Sequence, residues 1–302
     1  MSAVIQKLSE MVLMILLGYG CAKIGLSGPE FNRYTSPILT NVLLPATILK
    51  SMMGLGGLEN GELVYVIALF FLMMGVAGLV GWIASRILPL RDDERGILLS
   101  IVMYMNISFV GFPLVESYYG AEGMFYACLS CVPMNILMFS VGVATISGDR
   151  SKGFGIKQIL NVPLVFTLVG IVLMMFEVSL PKALSGTVLS LANATVPVSM
   201  IILGTSLAAI PIKSAVDDVR VYVAVFARLI ICPVVTNLIL RTFVDNEMLI
   251  GAVTILASTP VAVLVTPLCL QYGKSDHLSS KSIFISTVCS VITMPLIIWF
   301  LL

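Results

Sequence analysis

Residues 103–120 constrain the fold more than any other stretch of this sequence. They belong to a segment apolar enough to cross a bilayer, yet they include four residues that weaken or break a helix: Asn106, Ser108, Gly111 and Pro113. Each backbone group released by such a break costs several kcal/mol in hydrocarbon unless protein or water satisfies it. The stretch therefore predicts irregular backbone beside protein or a water-filled cavity. The alternative is a kinked helix whose freed carbonyl groups bond to neighbouring helices.

A second interrupted stretch lies about half a chain later, at residues 257–273. There Ser258, Thr259 and Pro260 break another apolar run, and both stretches end with Pro-Leu followed by Tyr-Gly. Paired interruptions at corresponding positions of two halves indicate the substrate site of a secondary transporter. Half-helix N-termini at such breaks present free N–H groups and a positive dipole end, which suit a carboxylate.

The composition excludes an ordinary soluble domain. Of the 302 residues, 59% are hydrophobic and 11% are charged, whereas about 25% are charged in a soluble domain. The net charge of +1 is spread over the loops, which excludes the clustered basic footprint of a nucleic-acid-binding protein. The loops have no room for a soluble catalytic domain, and a single histidine leaves no His-based triad. We therefore expect neither an enzyme nor a cofactor.

The sequence predicts an all-α polytopic membrane protein with ten transmembrane helices. A spanning helix needs about 20 mostly apolar residues. The first five candidates cover residues 4–25, 34–53, 63–87, 95–116 and 122–146, and the second five cover 160–178, 184–210, 219–241, 248–271 and 280–302. The longest polar connection separates the two sets. We therefore predict a first five-helix repeat at 1–146, a cytoplasmic linker at 147–159 and a second repeat at 160–302.

Short internal matches support this division. Asn41-x3-Pro45 recurs as Asn193-x3-Pro197, and the same offset relates Gly18 to Gly170. Because each repeat has an odd number of spans, the second copy must enter the membrane upside down, as in inverted-repeat transporters. The Asn and Pro residues either bend their helices and bond neighbouring groups or contact substrate.

The distribution of Lys and Arg predicts the orientation, because these residues collect near cytoplasmic helix ends. One side carries Lys23, Arg33, Arg86, Arg91, Arg95, Arg150, Lys152, Lys157, Lys213, Arg220, Lys274 and Lys281. The other side carries Lys7, Lys50, Lys182 and Arg241. We therefore expect a multi-pass membrane protein with both termini on the non-cytoplasmic side.

Several motifs resemble the auxin efflux carrier family, including its bacterial members. Residues 106–114 read Asn-Ile-Ser-Phe-Val-Gly-Phe-Pro-Leu, and the further matches are Leu44-Pro45-Ala46, Thr259-Pro260-Val261-Ala262 and Gln271-Tyr272-Gly273. The resemblance implies a fold related to bile-acid-type sodium symporters, in which broken helices 4 and 9 cross at the membrane centre. It also implies a scaffold of helices 1, 2, 6 and 7, a moving core, and small organic anions such as carboxylates as substrates. With its bacterial members, the resemblance further implies a place in the plasma membrane, which is the bacterial inner membrane.

The chain departs from the family pattern at two places. It has Ser108 where the family often has Gly, and Val263 and Leu264 where a polar Asn or Thr is common. The substrate can therefore differ from those of better-known members.

The coupling ion stays open between H⁺ and Na⁺. The predicted crossing offers oxygen ligands for sodium from Asn106, Ser108, Ser258, Thr259 and Thr266, but no clear carboxylate. A proton-linked or uncoupled mechanism therefore stands beside sodium coupling.

A few charged residues and cysteines within apolar segments have two interpretations each. Arg228 is eight residues past Arg220, so about 12 Å deeper along a helix. Its charge either has a role in transport, or its side chain snorkels to the cytoplasmic surface. Glu10 and Lys50 are expected at the outer interface, and Glu116 in solvent. Cys128 and Cys131 have metal-like spacing, but no second ligand pair accompanies them, so no metal site is expected.

These observations predict a secondary active transporter that exports or exchanges a small organic anion by an elevator-like alternating-access mechanism. A sodium-coupled organic anion symporter of the bile-acid type and an anion channel are the alternatives. The expected partners are the anion and the lipid bilayer. The oligomeric state stays open, with a homodimer through the scaffold helices as one option.

Overall fold

The structure, a computed structural model, describes residues 2–53, 61–149, 160–176, 178, 180–208 and 218–302, and of residues 2–5, 7 and 8 it describes the backbone only. The predicted linker at 147–159 therefore lies outside the described residues except for 147–149. The same holds for the side chain of Lys7 and for Arg150, Lys152, Lys157 and Lys213, all of which entered the orientation argument.

The described chain is helical, with one isolated antiparallel bridge between Met105 and Val261. In chain order the helices are α1 Ser2–Lys23, α2 Pro29–Ile38, α3 Leu44–Met52, α4 Glu62–Ile87, α5 Asp92–Met103, α6 Phe112–Leu129, α7 Cys131–Leu137, α8 Val143–Ser147, α9 Val162–Met175, α10 Lys182–Ala208, α11 Val219–Phe226, α12 Cys232–Leu240, α13 Glu247–Ala257, α14 Val265–Gln271 and α15 His277–Leu301. The predicted all-α class is therefore confirmed.

Five helical stretches of the described residues are long and apolar enough to cross a membrane. They are Glu62–Ile87, Ile107–Ser147, Lys182–Ala208, Val219–Leu240 and His277–Leu301. Shorter apolar helices lie at Val162–Met175 and Glu247–Ala257. The chain is thus a multi-pass membrane protein by length and composition.

Three prolines follow π-helical turns in the same register. The turns span Leu39–Leu43, Ile107–Gly111 and Ala227–Ile231, and Pro45, Pro113 and Pro233 each come two residues after the turn ends. A proline has no N–H to donate, and its ring crowds the carbonyl four residues earlier. The helix widens to accommodate the ring, and such widened turns often occur at functional sites. Polar residues singled out in the sequence lie within these turns: Asn41, Ser108 and Arg228.

The two Tyr-Gly motifs end their segments in the same way. Gly120 has φ +67° and Gly273 has φ +66°, a backbone conformation that side chains disfavour and glycine adopts readily. Gly120 interrupts α6, which has non-helical backbone angles at that residue. The motifs that match in sequence therefore also match in backbone conformation.

The chain divides into two compact units. The first contains residues 1–67, 108–132 and 160–209, and the second contains 68–107, 133–159 and 210–302. The first unit thus includes the segments that the family resemblance implies as scaffold helices 1, 2, 6 and 7, together with residues 108–132 from predicted helices 4 and 5.

Close helix approaches hold the first unit together. A Cβ added to Gly18 of α1 would overlap the carbonyl of Ile201, and one added to Gly204 of α10 would overlap the carbonyl of Ile15. Small residues permit such contact between membrane helices. Gly170 of α9, which corresponds to Gly18 in the sequence repeat, also permits a close helix contact, because a Cβ on it would overlap Met52 of α3.

Helices α3 and α10 also share a buried hydroxyl contact. Thr47 and Thr195 are joined through their hydroxyl oxygens at 2.7 Å, and the Thr195 hydroxyl lies 3.0 Å from the carbonyl oxygen of Leu43. Leu43 and Thr195 are 152 residues apart, the offset of the Asn-x3-Pro motifs. Residues that correspond in the sequence repeat are therefore in contact in the first unit.

In the second unit, α5 packs against α8 and α15, and α12 packs against α13. The phenol of Tyr104 donates to the carbonyl of Leu137 at 2.8 Å and lies directly against Gly142, where a Cβ would come within 2.9 Å of the ring. Arg220 at the start of α11 bridges Asp218 at 2.7 Å and Glu94 of α5 at 2.9 Å. Hydrogen bonds from Arg220 lower the pKa of Asp218.

Candidate functional site

Both predicted helix breaks are present, and their backbones pair with each other inside the second unit. Helix α5 ends at Met103 and α13 ends at Ala257. The N–H of Asn106 donates to the carbonyl of Pro260 at 2.8 Å, and the N–H of Ala262 donates to the carbonyl of Tyr104 at 3.0 Å. The two breaks therefore satisfy part of each other's freed backbone, which is the condition for irregular backbone at membrane depth. We call this pairing the crossing.

Hydroxyl groups add further hydrogen bonds at the crossing. The N–H of Val261 donates to the hydroxyl oxygen of Ser286 on α15 at 3.1 Å. The hydroxyls of Ser258 and Thr259 donate back to carbonyls of α13, at Ile255 and Leu256, over 2.7 and 2.8 Å. With their protons engaged in this way, both hydroxyls keep only lone pairs to offer a ligand.

Arg228 braces the two helix ends from within the second unit. Its side chain is fully buried, at 0% exposure. Its Nη1 donates to the carbonyl of Val102 near the end of α5 at 3.1 Å, while Nη2 donates to Ala257 at 2.6 Å and Nε donates to Thr259 at 3.1 Å. Carbonyl groups at helix C-termini carry partial negative charge, so a cation is favourable there. The snorkelling interpretation of Arg228 is therefore wrong.

The charge of Arg228 has no acidic counterpart in the part of the chain that the structure describes. Within the described ranges, no Asp or Glu forms an ion pair with it. Arginine does not lose its proton in proteins, so a full positive charge lies behind the crossing. The side chain of Asn106 is also buried there, at 3% exposure, whereas Thr266 is half-buried and its hydroxyl donates to Ser279 of α15 at 2.9 Å.

A polar cavity of about 450 Å³ lies in the first unit. Its walls come from α1, α3, α6 and α10, and its lining includes three residues singled out in the sequence: Pro113, Asn193 and Pro197. The cavity also contains three ionisable residues, Glu10, Lys50 and Glu116.

Lys50 and Glu116 form an ion pair that the sequence did not suggest. Lys50 Nζ lies 2.7 Å from Glu116 Oε1 and 3.4 Å from Asn193 Oδ1. The two ionic side chains are only 30% and 29% exposed, so the expectation that Glu116 is simply solvated is wrong. The partners are 66 residues apart, and no local pattern links them.

Comparison with known proteins assigns the chain to a family. The family model described as membrane transport protein, which is that of the auxin efflux carriers, matches residues 3–153 and 150–298. The chain belongs to this family. It is 26% identical over 292 residues to an uncharacterized transporter of Methanothermobacter thermautotrophicus, with 95% of each chain covered. It is also 26% identical over 302 residues to an uncharacterized transporter of Methanocaldococcus jannaschii, with 96% of each covered.

For this auxin efflux carrier family member, the residues predicted from sequence fall into two groups. The second unit contains Asn106, Arg228, Ser258, Thr259, Pro260 and Thr266; the first contains Asn41, Pro45, Ser108, Gly111, Pro113, Asn193 and Pro197. The crossing brings together most of the residues that lie in the second unit. In the first unit, Asn41 is exposed, Pro45 and Gly111 are buried and Ser108 is half-buried, and none of these four lines the described cavity.

The structure gives the metal-like cysteine spacing a packing role. The thiol of Cys128 lies 3.3 Å from the hydroxyl of Ser51, and both residues are buried. In the part of the chain that the structure describes, no group of three or more His, Cys, Asp or Glu residues could hold a metal ion.

Proposed function

We propose that this chain is a secondary active transporter that moves a small organic anion across the plasma membrane by alternating access. Its ten spans form two inverted five-helix repeats, with both termini on the non-cytoplasmic side. Transport proceeds by an elevator-like movement of a core that carries the crossing against a scaffold.

The buried charge of Arg228 at the crossing carries the proposal that the substrate is an anion. The guanidinium is bonded to three backbone carbonyls and to no acidic side chain among the described residues. In a low-dielectric interior such a charge creates a positive potential over several ångströms. A carboxylate at the crossing would offset that charge, whereas a cationic substrate would be repelled.

Internal symmetry supports the inverted repeat. Under a five-helix repeat, predicted helix 1 corresponds to predicted helix 6, and predicted helix 2 corresponds to predicted helix 7. A contact between helices 1 and 7 is therefore matched by a contact between helices 6 and 2. The observed helices at these places, α1 with α10 and α9 with α3, pack as pairs through Gly18 and Gly170. The crossing joins Asn106 to Pro260, and the two Tyr-Gly motifs share their glycine conformation. These agreements are expected if both halves fold alike.

Counterflow into liposomes tests the proposed function. Purified protein is reconstituted with unlabelled malonate inside, and uptake of labelled malonate is compared with uptake into empty liposomes. A thermal-shift screen of mono- and dicarboxylates first selects a better probe where one exists. We expect saturable uptake that internal substrate stimulates.

Measurements in sodium-free buffer across a pH series separate the coupling modes. Loss of uptake without sodium would favour the bile-acid-type symporter, whereas uptake that follows the proton gradient would favour proton coupling. Conductance far above about a million ions per second would exclude alternating access, because global transitions take about a microsecond or longer. If no carboxylate that binds in the thermal-shift screen showed counterflow, the proposal that this chain is a transporter of these anions would be contradicted.

A further inference from the structure

A second cavity, of about 610 Å³, lies entirely in the second unit. It is formed by the C-terminal end of α4, the first turns of α5 and the end of α8. Its walls combine apolar residues, such as Leu99 and Val141, with two arginines, Arg86 and Arg95. The Lys and Arg distribution predicts this end of the unit to be cytoplasmic. Neither the crossing nor the cavity of the first unit shares any of these residues.

An exposed apolar stripe on α4 leads into this cavity. Leu79, Trp82, Ile83 and Arg86 follow the i, i+3, i+4, i+7 spacing and therefore share one face of the helix. All four are exposed, with Leu79 at 58% and Trp82 at 50%. On a helix that crosses the membrane, such a face contacts acyl chains, and tryptophan favours the level of the lipid headgroups. The stripe therefore passes from hydrocarbon at Leu79 to headgroups at Arg86.

The polar ends of Trp82 and Arg86 are available to a ligand. The Arg86 guanidinium lies 5.6 Å from the centre of the Trp82 ring, which holds it by a cation–π interaction. Apart from this contact, neither side chain has a hydrogen-bond or ion-pair partner in the described part of the chain. Five guanidinium N–H donors in a planar fork match a phosphate group.

The neighbouring charges leave the cavity positive. Arg95 Nε lies 3.4 Å from the carboxylate of Asp92, whose side chain is fully exposed. Glu94, in the same turn, faces Arg220 instead, at 2.9 Å. The lining thus includes two arginines and one carboxylate, so its net charge favours an anion.

We propose that this cavity binds the phosphate of an anionic phospholipid from the cytoplasmic leaflet. Arg86 and the indole N–H of Trp82 donate to the phosphate, Arg95 lies on the other side of it, and one acyl chain follows the α4 stripe. Basic pockets at the cytoplasmic side of membrane helices bind lipid headgroups in this way. The site is independent of the proposed transport function.

Tryptophan fluorescence can test this site directly, because the chain has only two tryptophans, Trp82 and Trp299. A Trp299→Phe variant leaves Trp82 as the only emitter, and a Trp82→Phe variant leaves Trp299, which is 60% exposed. Each full-length variant is titrated in mixed micelles with brominated phosphatidylglycerol or brominated phosphatidylcholine, whose bromines quench an adjacent indole. We expect phosphatidylglycerol to quench Trp82 at a lower mole fraction than phosphatidylcholine. We expect Trp299 to show no such preference.

Two further variants, made in the Trp299→Phe background, assign the preference to the cavity. Arg86→Gln should reduce the apparent affinity for phosphatidylglycerol about fivefold, as a membrane-facing arginine contributes about 1 kcal/mol. Arg91→Gln is the matched control, because Arg91 lies in the connection between α4 and α5, five residues after Arg86, but does not line the cavity; it should keep most of the preference. Equal quenching of Trp82 by both lipids, or an unchanged preference in Arg86→Gln, would overturn the proposal. Competition by millimolar inorganic phosphate would also overturn it, because the site would then serve a soluble anion.

Discussion

Replacing Arg228 by methionine should destabilise the crossing without changing its volume greatly. The substitution leaves three buried carbonyls, at Val102, Ala257 and Thr259, without the donors that now reach them. Each unpaired buried acceptor costs about 1–3 kcal/mol. Removing a buried arginine returns about 2.5–3.5 kcal/mol of its burial cost. The net loss is therefore about 3 kcal/mol, equivalent to a melting temperature lower by about 6–12 °C for a chain of this size.

Arg228→Lys is the more discriminating variant. If charge alone mattered, lysine would retain partial function, since the charge is kept. The structure leads to a different expectation, because one ammonium cannot reach three carbonyls that are now served by Nε, Nη1 and Nη2 separately. Arg228→Lys should therefore lose transport at normal expression and melt between the wild type and Arg228→Met.

The assay is thermal unfolding of purified protein in detergent, paired with counterflow. Arg241→Met is the control, because Arg241 is 40% exposed and its ion-pair partner Glu247 is 71% exposed; exposed pairs contribute about 0–1 kcal/mol. A melting temperature of Arg228→Met within a degree of the wild type would refute the bracing role. If the same variant also had a raised KM, Arg228 would act on the substrate through its charge and not by bracing the helix ends.

Three further predictions concern the crossing, the cavity of the first unit and the orientation. Asn106→Ala should weaken substrate binding about 10- to 150-fold, because the variant loses the amide proposed to bond the substrate carboxylate, while the control Cys128→Ala should bind normally. Wild-type affinity in Asn106→Ala would show that the Asn106 amide does not contact the substrate. Lys50→Gln and Glu116→Gln should show a coupling of about 0.5–1 kcal/mol in a double-mutant cycle of unfolding, and strictly additive effects would mean that the 2.7 Å pair contributes nothing to stability. A reporter fused after Leu302 should read as non-cytoplasmic, and a cytoplasmic signal would mean that the number of spans is wrong by one.

The sequence by itself determined where helices form and where they break. Apolar runs of about twenty residues specify spans because burying polar backbone in lipid requires helices. The interruptions at Asn106 and Pro260 were evident because prolines, glycines and amides disturb backbone within one or two turns of their own position. The 152-residue offset of the Asn-x3-Pro motifs also predicted which parts of the chain would match.

Only the tertiary structure decided which groups meet. The three carbonyls bound by Arg228 come from segments 29 to 126 residues away, and Lys50 finds Glu116 across 66 residues. Residues 108–132, from predicted helices 4 and 5, pack within the first unit together with predicted helices 1, 2, 6 and 7, a grouping that no sequence pattern indicated. Such contacts depend on how helices pack side by side, and the spacing of residues along one helix indicates which face is polar but not which neighbour it will face.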